Sequence, residues 1–317
     1  MQSGCNLIYP PSMWKKVLKS LDSKDEDYER YMFYLQQNFV SENRDLRWCP
    51  APGCTWISQR KGFDTSVICK CGRGYCFACG DEIHTPVTCE ILKKWYARIE
   101  DQKDSGDVYL STLKPCPKCT VLLDKDGGCN HMTCKSCRYE FCWICMGPWK
   151  QHGQETGGYY SCNRPVDESL LGESKNAKQR LDYFEHYHTR FVEHGNSQRF
   201  SQNQLKSISS KIQKFNSLNA CAENVGEFIR EGVEVVAECR RILKYTYAWG
   251  FFMEKGPQKD LFEFLQRDLE AETERLSELT EEPVEKIDRL IHLEYIKSSK
   301  KYLINLLDGL SDFQGKA

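Results

Sequence analysis

The sequence predicts small metal-stabilised modules followed by an all-α antiparallel helical bundle. Eighteen cysteines occur in 317 residues, and fifteen of them lie between Cys49 and Cys162, mostly in short spacings such as C-x2-C. From residue 173 onward the cysteines nearly vanish, and apolar residues recur at three and four positions, as on one face of a helix. A chain of this length suits two or three domains.

The charge balance and hydropathy argue against two classes of partner. The chain has 44 basic and 45 acidic residues and a formal net charge of -1. This balance leaves no electrostatic footprint for nucleic acid or an anionic membrane. The most apolar run, Tyr245 to Met253, is far shorter than the roughly 20 residues that cross a bilayer. The first residues, Met1 to Cys5, lack the basic and apolar regions of a signal peptide. We therefore expect neither nucleic acid nor membrane as a partner.

The cysteine spacing indicates zinc rather than disulfides. Paired thiols in C-x2-C knuckles, interleaved with His84 and His152, are typical of tetrahedral zinc sites. Thiolates persist in a reducing compartment, so the expected location is the cytoplasm, the nucleus or both.

Residues 1–48 are expected to be a mainly helical lead-in to the first module, which spans residues 49–89. This module supplies eight ligands, enough for two zinc ions. Read in chain order, the two sets are Cys49, Cys54, Cys69 and Cys71, and then Cys76, Cys79, His84 and Cys89. A cross-braced pairing of the same eight side chains is the alternative, which spacing leaves open.

A linker, residues 90–113, separates the two modules and begins as a helix. Its apolar residues could dock a partner or pack on a neighbouring module. They are Ile91, Leu92, Trp95 and Ile99.

The second module, residues 114–165, supplies eight more ligands. One set is Cys116, Cys119, Cys134 and Cys137, and the other is Cys142, Cys145, His152 and Cys162. The two modules together predict four structural zinc ions with no open coordination position. Because each module is small, we expect the metal to be a folding requirement.

Cys129 is left over from this ligand count. It follows Gly127 and Gly128, whose missing Cβ atoms let another backbone approach the sulfur closely. His131, two residues on, can act as a base. We interpret Cys129 as a nucleophile; a buried spare thiol or an alternative zinc ligand are the competing interpretations.

Residues 173–313 are predicted to form the helical bundle. Heptad-like spacing links Phe262, Leu269 and Leu276, and Gly256-Pro257 marks a break between two helices. Pro283 is predicted to stand where the last helix starts.

These residues together resemble the RING-between-RING ubiquitin ligases. The run C-x4-C-x14-C-x-C-x4-C-x2-C-x4-H-x4-C from Cys49 to Cys89, followed by GGCNHM from Gly127 to Met132, carries the resemblance. The run EFCWICMGPW from Glu140 to Trp149 and the segment from Cys239 to Tyr247 are similar to the Ariadne subfamily. MEKGP from Met253 to Pro257 is similar to the branch of the second Ariadne homologue.

The resemblance assigns the domains. Residues 49–89 would be the in-between-RING domain, 114–165 the catalytic RING-like domain, and 173–313 the Ariadne domain. The family has a first RING upstream, of which only Gly4 to Asn6 matches the tail. The chain is therefore expected either to be a fragment or to recruit the conjugating enzyme in another way.

The resemblance also implies an activity. A ubiquitin-conjugating enzyme would hand ubiquitin to Cys129 as a thioester, and a substrate amine would then attack it. His131 would act as general base. Glu140 matches a residue that assists the histidine in some relatives; a surface carboxylate is the alternative.

In the family, the Ariadne domain covers the catalytic cysteine until a neddylated cullin-RING ligase engages the protein. Phe200 and Glu274 match two residues of that autoinhibitory contact, whereas Ser201 stands where the family has a glutamate. A noncatalytic zinc scaffold that binds ubiquitin or a cullin-RING ligase is the second hypothesis. A nucleic-acid-binding zinc protein ranks third because the net charge is near zero.

Overall fold

The computed structural model describes residues 10–20, 25–60, 65–104, 113–125, 127–152, 177–219 and 225–314. It divides into two compact units, residues 1–83 and 84–317. Of the predicted site residues, Cys162 lies outside the described residues, as do Gly4 to Asn6.

The described residues of the first unit form two helices and two short hairpins. Helices α1 and α2 span Pro11–Ser20 and Asp25–Glu42, within the predicted helical lead-in. Strands β1 (Leu46–Trp48) and β2 (Ile57–Gln59) pair antiparallel, with Trp48 opposite Ile57. Strands β3 (Ser66–Ile68) and β4 (Gly74–Cys76) pair in the same way. Strands of three residues bury little apolar area, so the fold of this unit depends on what the hairpin loops hold.

The second unit begins with helix α3 (Cys89–Asp104) and two further antiparallel hairpins. Strand β5 (Leu113–Pro115) pairs with β6 (Leu122–Asp124), and β7 (His131–Thr133) pairs with β8 (Glu140–Cys142). A short 3₁₀ turn follows at Trp149–His152. Phe141 and Trp143 are buried between the hairpins, beside Met132. These residues form a small apolar centre that fixes β7 and β8, the strands on which the candidate site is built.

Among the described residues of the second unit, four long helices follow the hairpins and confirm the predicted helical fold class of this region. They are α4 (Ala177–Leu218), α5 (Glu227–Phe252), α6 (Pro257–Glu281) and α7 (Arg289–Gln314). Helix α6 begins at Gly256-Pro257 as predicted, because proline fits the first helical position without losing a hydrogen bond. Phe262, Leu269 and Leu276 are fully buried in the core. The short connections between α5, α6 and α7 make these neighbouring helices antiparallel.

The start of the last helix differs from the prediction. Pro283 precedes a 3₁₀ turn at Val284–Lys286, and α7 begins at Arg289. Asp288 caps this helix, since its Oδ1 accepts hydrogen bonds from the backbone N–H groups of Leu290 and Ile291 at 2.8 and 3.1 Å. The aspartate cap, not the proline, sets the helix start.

The linker helix α3 packs within its own unit. The Trp95 side chain is 0% exposed and lies among the rings of Phe184, Phe191 and Phe251. Leu92 is buried in the same cluster, and Ile91 and Ile99 pack at its edge. Of the two alternatives for these four side chains, packing on a neighbouring module is the one that the structure supports.

Of the helices that the structure describes, none combines the length and the apolar composition that crossing a membrane requires.

Candidate active site

Two sets of four cysteines come together in the predicted chain order. They are Cys49, Cys54, Cys69 and Cys71 in the first unit, and Cys116, Cys119, Cys134 and Cys137 in the second. Within each set the sulfurs lie within 4.8 Å of one another, and the closest pairs are 3.6 to 3.8 Å apart. Tetrahedral zinc with bonds of about 2.3 Å places two sulfurs about 3.8 Å apart, so both sets fit this ion.

Tight turns aim each pair of sulfurs inward. Thr120, Arg138 and Met146, which follow the second cysteine of a C-x2-C pair, have φ of 60, 58 and 61°. In each turn the backbone N–H of that residue donates to the carbonyl of the first cysteine, at 2.8 to 2.9 Å. Residues with a side chain rarely adopt this left-handed conformation, which indicates that the knuckle geometry determines the local backbone.

A third set contains Cys142, Cys145 and His152. The Cys145 sulfur lies 3.3 Å from His152 Nε2, while His152 Nδ1 lies 3.1 Å from the Pro148 carbonyl oxygen. A hydrogen bond from Nδ1 to a carbonyl fixes the tautomer in which the Nε2 lone pair can bind a metal. Cys162, the predicted fourth ligand of this set, lies outside the described residues.

The remaining predicted set falls on the boundary between the two units. Cys76 and Cys79 belong to the first unit, and His84 and Cys89 to the second. Within the second unit His84 Nε2 lies 3.5 Å from the Cys89 sulfur, and His84 Nδ1 lies 2.8 Å from the Val87 carbonyl oxygen. The pairing of the two halves stays a prediction.

Cys129 lies outside all these sets, in the loop between β6 and β7. It is 9% exposed, and its sulfur accepts a hydrogen bond from the backbone N–H of His131 at 3.3 Å. We define residues 127–130 as the cysteine loop. Gly127 has a φ of 139°, which glycine adopts without strain. A Cβ atom at Gly128 would come within 3.2 Å of Phe200 Cδ1, a tight contact that would push this side chain away from the loop.

Helix α6 covers the cysteine loop with two carboxylates. Glu274 accepts hydrogen bonds from the backbone N–H and the side-chain amide of Asn130, at 2.8 and 2.6 Å. Glu281 Oε1 accepts the backbone N–H groups of both Gly128 and Cys129, at 3.1 Å each. Three successive N–H groups of the loop therefore donate to side chains of one helix.

A buried cation balances this arrangement. Arg240 of α5 is 0% exposed and pairs with Glu274 at 2.5 Å. Its other terminal nitrogen donates to the Gly128 carbonyl at 3.2 Å. Burial alone raises the pKa of Glu274, but the Arg240 guanidinium outweighs it and lowers that pKa to about 2. Glu274 is therefore ionised at neutral pH.

Helix α4 holds the loop from a second direction. The Ser197 hydroxyl donates to the Gly128 carbonyl at 2.7 Å, and Lys125 Nζ donates to Asn130 Oδ1 at 2.8 Å and to Ser197 Oγ at 3.1 Å. Ser201 is buried, and its hydroxyl donates to the Ser197 carbonyl of its own helix at 3.2 Å. The position where the family resemblance implies a glutamate is thus neutral here, whereas Glu281 contacts the loop from α6.

The thiol environment disfavours the thiolate. Burial raises the pKa of the Cys129 thiol well above its ordinary value, and the nearby Glu274 and Glu281 carboxylates raise it further. The hydrogen bond from His131 and the Arg240 charge act in the opposite direction without overcoming them. With α6 in this position, the sulfur is both covered and protonated.

The His131 ring is fixed by stacking. It lies parallel to Trp149, with ring centroids 4.2 Å apart and an interplanar angle of 6°. Its Nε2 is 3.5 Å from Glu140 Oε2, and its Nδ1 is 3.9 Å from Glu278 Oε1. The structure thus brings the three predicted catalytic residues, Cys129, His131 and Glu140, into one region.

Three stretches of the chain match known domains. Residues 29–89 match the IBR domain, a half RING-finger domain; residues 111–163 match a second IBR domain; and residues 182–309 match the Ariadne domain. This chain belongs to the Ariadne-type RING-between-RING family. Both zinc-module matches and the Ariadne match agree with the predicted subfamily.

Curated relatives of this family align along most of the chain. It is 33% identical to the E3 ubiquitin-protein ligase dbl4 of Schizosaccharomyces pombe, over 94% of this chain and 60% of the relative. It is 34% identical to the probable E3 ubiquitin-protein ligase rbrA of Dictyostelium discoideum, over 97% of this chain and 62% of the relative. It is 36% identical to the E3 ubiquitin-protein ligase ariadne-1 of Drosophila melanogaster, over 80% of this chain and 51% of the relative. The chain thus spans between 51 and 62% of these relatives.

Several residues of the site were not found from the sequence. Glu281, Arg240, Lys125 and Trp149 carry contacts described above. Arg240 and Trp149 stand in segments that carry the family resemblance, which gave neither a role, and Glu281 offered a signal of spacing. It lies seven residues after Glu274, on the same face of α6 two turns later. The contacts of the others depend on how the chain folds around the cysteine loop.

Proposed function

We propose that this chain is the catalytic and inhibitory part of a ubiquitin ligase, in which Cys129 carries ubiquitin as a thioester. The observation that carries the proposal is the position of Cys129, whose thiol lies outside every predicted metal set and follows two glycines that Glu281 and Phe200 approach closely. The relatives named E3 ubiquitin-protein ligases support the same activity. Ubiquitin, a ubiquitin-conjugating enzyme and a protein amine are the proposed partners.

The reaction has two acyl-transfer steps. In the first, the Cys129 thiolate attacks the thioester carbonyl at the ubiquitin C-terminus, and the carbon–sulfur bond to the conjugating enzyme breaks to release its thiolate. In the second, a substrate amine attacks the new thioester, loses a proton, and the Cys129 thiolate leaves. Dividing the transfer in this way is covalent catalysis.

His131 is the proposed base for the proton lost by the amine. His131 stands two residues after Cys129, and its ring stacks on Trp149. Glu140 Oε2, 3.5 Å from His131 Nε2, is placed to stabilise the imidazolium that results. Zinc in the cysteine sets would supply folding energy and fix the loop, with no part in the chemistry.

Helices α4 and α6 form the proposed inhibitory surface. Ser197 donates a hydrogen bond to a carbonyl of the cysteine loop, and Glu274 and Glu281 accept hydrogen bonds from its N–H groups. Ubiquitin would therefore reach the thiol only after these hydrogen bonds break. A neddylated cullin-RING ligase is the proposed partner that breaks them, and the cytoplasm or nucleus is the proposed location. Residues Phe200 and Glu274 are proposed to hold the closed state.

A nonreducing gel tests the proposal. The protein is mixed with a charged ubiquitin-conjugating enzyme or, to bypass recruitment, with ubiquitin bearing a C-terminal thioester of a small thiol. We expect a thiol-sensitive adduct that becomes thiol-resistant in Cys129→Ser and disappears in Cys129→Ala. Cys239→Ala is the matched control, because Cys239 is also buried and outside the metal sets. An adduct that survives Cys129→Ala would contradict the proposal, and no adduct in Phe200→Ala with the small-thiol thioester would favour the scaffold hypothesis.

A further inference from the structure

One oxygen of Glu281 accepts three hydrogen bonds at the cysteine loop. Glu281 Oε1 lies 3.1 Å from the backbone nitrogen of Gly128, 3.1 Å from that of Cys129 and 3.1 Å from Ser277 Oγ. Two of these donors are consecutive N–H groups of the loop that carries the thiol. Successive backbone N–H groups that converge in this way form a concave site for an anion.

The shape of the loop makes this convergence possible. The φ of 139° at Gly127 turns the chain immediately before the two donors. A Cβ atom at Gly127 would lie 2.5 Å from Glu281 Oε2 and would displace the carboxylate, and a side chain would also strain the positive φ. Glu281 is therefore not a surface carboxylate that happens to lie near the loop.

Acyl transfer develops negative charge on the carbonyl oxygen of the thioester. Attack of the Cys129 sulfur on a thioester carbonyl moves the carbonyl electron pair onto oxygen and produces a tetrahedral oxyanion. The carbon–sulfur bond to the donor thiol then breaks and the carbonyl re-forms. Donors at about 2.7 to 3.1 Å from such an oxygen stabilise it, and the N–H of a nucleophile's own residue serves as one of them in serine proteases.

Burial of Glu281 would be costly without these donors. Burial raises the pKa of its carboxyl, and the hydrogen bonds from Ser277, Gly128 and Cys129 offset part of that effect. The loop amides thus donate to an oxygen of a carboxyl group, the kind of acceptor that an oxyanion would present.

We infer that the backbone N–H groups of Gly128 and Cys129 form the oxyanion site for acyl transfer, and that Glu281 is its internal occupant in the closed state. The inference rests on the proposed thioester at Cys129. It assigns Glu281 a role distinct from that of Glu274: Glu274 anchors the loop through Asn130, whereas Glu281 imitates the charged oxygen of the intermediate.

Anion binding can be measured without any ubiquitin chemistry. In Glu281→Ala the vacated site should accept acetate, with acetamide as the neutral molecule of the same shape. We expect saturable shifts of the Gly128 and Cys129 amide resonances in ¹⁵N NMR spectra on addition of acetate but not acetamide. The wild type and the control variant Glu282→Ala should show no acetate-induced shifts, because Glu281 still fills the site in both. Glu282 is the matched control because it follows Glu281 at the same end of α6. Absence of acetate-induced shifts in Glu281→Ala would overturn the inference.

Kinetics then connect this site to the reaction. Loading from the small-thiol ubiquitin thioester is measured for Phe200→Ala and for Phe200→Ala/Glu281→Ala, at constant ionic strength. We expect the double variant to load several-fold faster and to be slowed by acetate but not by acetamide. Equal rates that are insensitive to acetate, with a Cys129 adduct still formed, would overturn the inference alone. Absence of any Cys129 adduct would overturn the proposed function and the inference with it.

Discussion

Glu274 binds Asn130 at two points, accepting its backbone N–H at 2.8 Å and its side-chain amide at 2.6 Å. Asn130 directly follows Cys129, so this pair ties the position of the thiol to helix α6. Glu274 is itself held by the buried Arg240. The cysteine loop and the helical domain are therefore linked through a charge network rather than through apolar contact alone.

Removal of the closing contacts should accelerate loading of Cys129. Phe200→Ala opens space beside the cysteine loop, and Glu274→Ala releases the loop from α6. A hydrogen bond to a charged group contributes about 1.5 to 3 kcal/mol of stability. We expect about a tenfold or greater increase in the rate of ubiquitin discharge onto Cys129 from Glu274→Ala. The control is Glu272→Ala, whose carboxylate on the same helix accepts from Ser298 instead. Unchanged rates in both Phe200→Ala and Glu274→Ala would remove the case for this contact.

The Glu274–Arg240 pair should make stability depend on acid pH. The pKa of Glu274 is lowered from 4.5 to about 2, so its stabilising effect is present above pH 4.5 and is lost as the pH falls towards 2. A shift of this size corresponds to about 3 kcal/mol. We expect the unfolding temperature of the wild type to fall more steeply between pH 5 and 3 than that of Glu274→Gln, since metal loss acts equally on both. Parallel pH profiles would contradict this assignment.

The pH dependence of Cys129 alkylation should show that the thiol is protonated at neutral pH. Because burial and the two carboxylates raise its pKa, alkylation of Cys129 by iodoacetamide should still be rising with pH above the ordinary titration range of a free thiol. Glu274→Gln removes one negative charge and should move the midpoint to lower pH. Peptide mass spectrometry isolates this cysteine from the others. A wild-type midpoint at or below the ordinary cysteine value would refute the environment described here.

Metal removal should unfold the hairpins of the second unit and leave its long helices folded. The hairpins are held by the sets around Cys116 and Cys142, whereas the core of the long helices contains no metal-ligating cluster among the described residues. A zinc chelator should therefore abolish the near-ultraviolet dichroism contributed by Trp143 and Trp149 and leave most of the helical signal. Elemental analysis should find four zinc ions per chain before chelation. Retention of the near-ultraviolet signal after complete metal loss would show that the hairpins fold without it.

Local spacing predicted the parts of this site that depend on neighbouring residues. The C-x2-C pairs impose tight turns, and the ligand count left Cys129 without a metal partner before any geometry was known. The start of α7 was predicted wrongly because Pro283 gives a stronger sequence signal than the aspartate cap at Asp288.

The contacts made by the loop could not be predicted in the same way. Glu281 meets the Cys129 amide across 152 residues of sequence, and Arg240 meets the Gly128 carbonyl across 112. An exposed carboxylate and a buried one look identical in a sequence, so their roles depend on how the helices are placed. The apolar face around Trp95 likewise fitted either a partner or a neighbouring module until its surroundings were known.

The most direct test of the central claim is intact-mass measurement of Glu274→Ala after mixing with the small-thiol ubiquitin thioester. We expect a species heavier by one ubiquitin, which dithiothreitol reverses and which Glu274→Ala/Cys129→Ala does not form. The wild type should form it more slowly because α6 covers the thiol. Persistence of the adduct without Cys129, or its absence from Glu274→Ala while the helical domain remains folded, would contradict the assignment of Cys129 as the thiol that α6 restrains.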